Sequence, residues 1–243
     1  MAAIDSELLL RAYAIGVFPM SDGRDAEEVF WVEPRRRAII PLDGFRLSRT
    51  LRRTIRSGTF EVTRDSAFSQ VIRLCAEREE TWINAEIERS FTELHRLGHA
   101  HSIECWQDGA LAGGLYGVRL GGAFFGESMF SLRTDASKVA LAWLVARLKV
   151  GGFALLDCQF MTDHLRSLGA VEVSQKDYLA LLASAVGGAS ALGTGEAAGG
   201  ETLRRGEEPE FGALDRLLAS DPARTVDSPA SGCVIAQLLG VTS

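Results

Sequence analysis

Residues 101 to 131 are written as three extended segments joined by two turns of two residues each. HSIECWQ (101–107) meets ALAGGLYGVRL (110–120) at Asp108-Gly109, and Gly121-Gly122 leads into AFFGESMFS (123–131). Asp-Gly and Gly-Gly pairs supply the positive φ that a two-residue hairpin needs. An antiparallel three-stranded meander is therefore expected in the middle of the chain, and the rest must be built around it.

Upstream, Asp5 or Ser6 can cap a helix over residues 5–15, stopped by Gly16, with Leu8, Leu9, Ala12 and Tyr13 on one face. A small strand-and-turn region runs to Pro41. Ser48 can cap a second helix, TLRRTIRS, which ends at Gly58 before a strand at 60–63. Asp65 is expected to cap a helix over 66–78 and Asn84 another over 85–97. Downstream, Asp135 or Thr134 is expected to cap the helix ASKVALAWLVARLKV, closed by Gly151-Gly152. FALLDCQ then reads as a buried strand, being short, apolar and bounded by glycines. A helix at 162–168 and a final strand and helix to about 185 follow.

This pattern predicts an α+β chain: a small N-terminal α/β domain over 1–62, then a domain over 63–185 with a central mixed sheet flanked by helices. The element order resembles the acetyltransferase (GNAT) superfold, in which the last strands splay to admit a ligand. Residues 186–210, rich in Gly, Ala, Ser, Thr and Glu, are expected as a flexible linker. The tail at 211–243 carries two apolar clusters, FGALDRLLAS and CVIAQLLG, suited to docking back.

A net charge of −6 excludes a nucleic-acid binder that works by global charge, but leaves room for a local basic patch. Eight arginines against one acid, Asp43, lie between Arg35 and Arg56. Arg49, Arg52, Arg53 and Arg56 fall at i, i+3, i+4 and i+7, with Leu51 and Ile55 facing the other way. Such a stripe suits tRNA phosphates, and equally the solvated side of a short helix. The four cysteines are widely separated, which suggests neither a zinc ribbon nor a disulfide framework and points to a reducing compartment. Glu7 and Arg11 interrupt the apolar N-terminus, so neither a signal peptide nor a membrane span is expected there. His95, His99, His101 and Cys105 cross from a helix through a turn into a strand, so no common face presents them to a metal.

Asp157 and Gln159 stand two apart on a predicted strand and so address the same side. Either they serve one ligand together or they cap the following helix. Glu127 is an acid inside an apolar strand and needs a partner: an ion pair with Lys138 or an arginine, or a functional site. A β-bulge at Gly126 would decide whether Phe124 and Glu127 face the same cavity.

Four blocks recur in order: AYAIGVFPM (12–20), TWIN (81–84), GHAHSIECW with GGLYGV (98–118), and GESMFS…ASKVAL with LLDCQ (126–159). Together they resemble the leucyl/phenylalanyl-tRNA–protein transferases over residues 8 to about 182. The resemblance implies transfer of Leu or Phe, and less well Met, from aminoacyl-tRNA to proteins beginning with Arg or Lys, creating a degradation signal. It implies Asp157, Gln159 and Glu127 as catalytic residues, and Leu115, Tyr116, Phe124 and Met129 as a donor pocket. Trp82 and Tyr13 are then available to stack on the adenine. No metal or cofactor is implied, and a cytoplasmic monomer is expected. SLRTDASK stands where acetyltransferases carry their coenzyme A pyrophosphate loop.

Overall fold

The computed structural model describes residues 3–78, 80–187, 208–220 and 229–240. Helix α1 (Ser6–Ala14) starts at Asp5, whose carboxylate accepts from the Leu8 N–H. A ribbon of β1 (Phe18–Met20) and β2 (Phe30–Val32) follows, then β3 (Arg36–Ile39), α2 (Arg49–Arg56) and β4 (Glu61–Arg64). Helices α3 (Phe68–Ala76) and α4 (Ala85–Arg96) precede the meander of β5 (Ala100–Gln107), β6 (Ala110–Leu120) and β7 (Ala123–Ser131). The long α5 (Ala136–Val150) crosses to β8 (Leu155–Gln159), followed by α6 (Asp163–Ser167), β9 (Val171–Ser174) and α7 (Gln175–Gly187). Two further helices, α8 (Ala213–Ala219) and α9 (Pro229–Leu238), complete the order.

The meander forms as its turns require, with positive φ at Asp108, Gly109 and Gly121. It lies within a mixed seven-stranded sheet of order β4-β5-β6-β7-β8-β3-β9. The pairs are antiparallel apart from β7 with β8, which the α5 crossover makes parallel. Helices cover both faces. One core holds Leu51 and Ile55 of α2 with most of α5; the other holds Leu9 and Tyr13 of α1, Val71 of α3, Phe91 of α4 and Tyr178 of α7. Helix α5 is apolar nearly all round because it is covered nearly all round, by the sheet beneath and by α2, α8 and α9 above.

Three local expectations change. The division at residue 62 falls inside β4, and β3 pairs with both β8 and β9, so a cut there would part hydrogen-bonded neighbours of one sheet. Asp65, at φ 58°, does not cap α3; its carboxylate accepts from Ser102 N–H and contacts His101 Nδ1. Asp135 occupies the N-cap position of α5 without a capping bond and pairs instead with Lys138.

The tail docks where it is described. Phe211, Leu214, Leu218, Ile235, Ala236 and Leu239 are buried in the α5 core, and buried Arg147 bonds both Phe211 carbonyl oxygen and the Asp215 carboxylate. Helix α9 approaches α2 so closely that a Cβ at Gly232 would stand 2.0 Å from the Ile55 carbonyl oxygen. Most of the expected linker, residues 188–207, lies outside the described residues.

Candidate functional site

Strand β7 carries one residue more than its partner β6. Gly126 faces Gly117 and Ser128 faces Tyr116, which leaves Glu127 as the extra residue of a bulge. The bulge lies tight against β6, since a Cβ at Gly117 would come within 2.2 Å of the Phe125 carbonyl oxygen. It also reverses the alternation of the strand: Phe124 and Met129, five apart, both pack toward α5, while Phe125 and Phe130 both face the other core.

Pairing between β7 and β8 ends at Phe125 opposite Asp157. Beyond that point the strands part, and a cavity of about 550 Å³ opens. Leu115, Met129, Leu141, Leu144, Leu156 and Leu165 form its α5 side; Arg78, Trp82, Tyr116, Phe130 and Phe160 line it too. Glu127, Ser128, Cys158 and Gln159 run along the seam. Its surface is predominantly apolar with a few convergent polar groups, as small-molecule sites are.

Two carboxylates meet at the seam in different surroundings. Asp157 is fully buried and its oxygens are taken: Arg37 Nε donates at 2.9 and 3.0 Å, Arg37 Nη2 at 2.5 Å, Tyr178 hydroxyl at 2.8 Å and the Gln159 N–H at 2.8 Å. Arg37 is buried as well, between the rings of Phe18 and Tyr178 at 4.6 and 4.5 Å, and donates to Gly16 carbonyl oxygen. The bond from Asp157 holds Gln159 at φ 61°, a conformation that costs a non-glycine residue of order 1–3 kcal/mol. Gln159 thereby turns its amide toward β7, where Nε2 donates to Glu127 at 2.9 Å.

Glu127 makes no ion pair among the described residues; the Arg37 charge acts on it only from a distance. Tyr13 hydroxyl donates to its other oxygen at 2.7 Å. Burial pushes its carboxyl up to about 7, although both hydrogen bonds pull it back. The Tyr13 phenol is held well above its ordinary range, first by burial and then by the Glu127 charge. Two of the structural alternatives are not observed among the described residues: Thr162, not Asp157 or Gln159, caps α6, and Glu127 makes no pair with Lys138, which serves Asp135.

Leu115, Tyr116, Met129, Trp82, Glu127 and Gln159 come together at the cavity. Phe124 does not reach it; the bulge leaves that ring in the α5 core, stacked on Phe211 at 5.4 Å. Tyr13 is fully buried against Phe125 and its hydroxyl serves Glu127, so its ring offers no face to a base. Arg49, Arg52, Arg53 and Arg56 stand exposed on α2, away from the cavity lining. Among the described residues no group of His, Cys, Asp and Glu is placed to hold a metal ion, and no helix is long and apolar enough to cross a membrane. Arg37 and Tyr178 were absent from the candidates. Three consecutive arginines entering an apolar strand were the available signal for Arg37, because alternation must turn one of them inward.

The model of the Leucyl/phenylalanyl-tRNA protein transferase family matches residues 39–183, and that of the family's N-terminal domain matches residues 2–35. The leucyl/phenylalanyl-tRNA–protein transferase of Rhizorhabdus wittichii is 61% identical across 100% of both chains. Its counterpart in Novosphingobium aromaticivorans is 52% identical over 99% of this chain and 97% of that one, and the one in Zymomonas mobilis 63% over 75% and 70%. Among solved structures, L-PGS from Bacillus licheniformis aligns with a TM-score of 0.38 at 12% identity over 68% of this chain and 56% of that one, too loose to assign a fold family.

Proposed function

The chain belongs to the leucyl/phenylalanyl-tRNA–protein transferase family, and from that premise we propose that it moves Leu or Phe, and less well Met, from aminoacyl-tRNA to the N-terminal amine of proteins beginning with Arg or Lys. The product carries a new N-terminal residue that marks it for degradation. The enzyme acts as a cytoplasmic monomer without cofactor, and its parted strands support an acetyltransferase-like fold.

The observation that carries this reading is the polar seam of Glu127 and Gln159 set into a predominantly apolar cavity where β7 and β8 separate. An aminoacyl ester is already activated, so the site has chiefly to position an amine and move its proton. The donor side chain lies against Leu115 and Met129, Trp82 covers the adenine and Tyr116 backs the cavity. Gln159 Oε1, which has no partner among the described residues, accepts from the incoming amine. Glu127, with its carboxyl near 7, is matched to an amine whose unperturbed pKa is about 8. The amine nitrogen forms its bond to the ester carbonyl carbon, the carbon–oxygen bond to the ribose breaks, and Glu127 passes the amine's proton to the departing ribose oxygen. Asp157 is a positioning residue: its oxygens are occupied and it lies outside the cavity lining, so it acts by fixing Gln159 and Arg37. Arg49, Arg52, Arg53 and Arg56 engage tRNA phosphates, so transfer weakens as salt rises.

The test is transfer of labelled Leu, Phe, Met, Ile and Arg from their tRNAs to one peptide beginning with Arg. Leu and Phe should lead, Met follow, and β-branched Ile and charged Arg be rejected. Equal use of Ile and Leu would sink the pocket assignment. Acetyl transfer from coenzyme A, or binding without transfer, would replace the reading altogether.

A further inference from the structure

Arg78 follows the end of α3 and lines the cavity four residues before Trp82. Among the lining residues it alone carries a permanent positive charge; the other basic side chain there, His164, has its pKa lowered by burial and by Lys138. It is also unspent. Arg37, Arg24, Arg64 and Lys138 are all paired with carboxylates, whereas Arg78 has neither a hydrogen bond nor an ion pair among the described residues. Its charge reaches the inner wall: burial raises the Tyr116 phenol and the Cys75 thiol, and Arg78 pulls both the other way. The Tyr116 hydroxyl, fully buried, has no hydrogen-bond partner among the described residues either.

A free guanidinium at the mouth, an indole beside it and an unsatisfied hydroxyl behind describe a ligand with an anion attached to a flat face. Resting on the reading of the donor as an aminoacyl-tRNA, we propose that Arg78 binds the phosphate on the 5′ side of the donor's terminal nucleotide while Trp82 covers its base. That phosphate is then part of what the cavity recognises, independently of the arginine stripe on α2. A guanidinium meets phosphate with two parallel N–H donors, which lysine reproduces only as a point charge.

The experiment uses two small donors, 3′-phenylalanyl adenosine with and without a 5′-phosphate, alongside Phe-tRNA, and one Arg-terminated peptide. Wild type should use the phosphorylated donor about ten- to a hundredfold better in kcat/KM, the scale of one charge-assisted pair. Arg78→Gln should erase that preference by raising KM for the phosphorylated donor far more than for the unphosphorylated one, and Arg78→Lys should restore part of it. Inhibition by AMP against adenosine reads the same difference where a small donor turns over too slowly. Equal losses with both donors would give Arg78 a structural or acceptor-binding role, and no loss with either would make it ordinary surface; both outcomes overturn the proposal. Failure of wild type to transfer from Phe-tRNA itself would instead overturn the proposed function.

Discussion

Asp157 and Glu127 lie on neighbouring strands of one sheet, both buried, and the protein treats them in opposite ways. Asp157 stands where β7 and β8 are still paired and is met by a guanidinium, a phenol and a backbone N–H. Glu127 stands where they have parted and, among the described residues, is hydrogen-bonded only by the neutral Tyr13 hydroxyl and Gln159 amide. A buried carboxylate gripped by a cation becomes part of the frame, whereas Glu127, with neutral donors alone, is left close to protonation at neutral pH. Burial by itself therefore does not set what a buried acid can do; its partners do.

Breaking the closed half should have the largest effect. Arg37→Met leaves Asp157 buried without its cation and should cost about 3–5 kcal/mol in denaturant unfolding. A loss below about 1 kcal/mol would mean that the pair is not what holds this half shut.

On the open half, Glu127→Gln removes the proposed proton acceptor but keeps its shape, and should lower transfer about a hundredfold at pH 8. The pH profile sharpens the point. Wild-type transfer should rise through about pH 7 as Glu127 ionises, while the variant keeps only the limb near 8 that belongs to the amine. Stability should move the other way. The folded-state carboxyl is raised above its unfolded value near 4.5, so the native state holds a proton that the unfolded chain has released. Wild-type stability should therefore fall between about pH 4.5 and 7, and this slope should vanish in Glu127→Gln; an unchanged slope would place the titration elsewhere.

The smallest change is Tyr178→Phe, which removes one of several donors to Asp157. About 1 kcal/mol of stability should be lost, with transfer held within about threefold. A collapse of transfer would bring Tyr178 into the chemistry and blur the contrast between the two carboxylates.

Much of the site was legible because it follows chain-local rules. The turns at Asp108-Gly109 and Gly121-Gly122 set the meander, the amphipathic spacing of α2 buries Leu51 and Ile55 and exposes its arginines, and Gly126 marked the bulge. Asn84 and Ser48 cap their helices as expected because capping reaches only three residues. What was missed joins residues far apart in sequence. Phe124 was expected in the pocket from the family resemblance; its ring packs instead against Phe211, brought in from the C-terminal segment. The expected cap at Asp65 failed because Ser102 and His101, on β5, compete for the same carboxylate.

The sequence by itself determined the elements, their order and the identity of the polar residues within β7 and at the end of β8, since helical and strand periodicity and turn chemistry act over a few residues. Only the tertiary structure decided which partners those residues meet. By threading β3 between β8 and β9 it carries Arg37 across 120 residues of chain to Asp157, and by the bulge it turns Glu127 to Tyr13, 114 residues away. The charge state of a buried carboxylate is set by the groups within a few ångströms, and which groups those are is a property of the folded sheet.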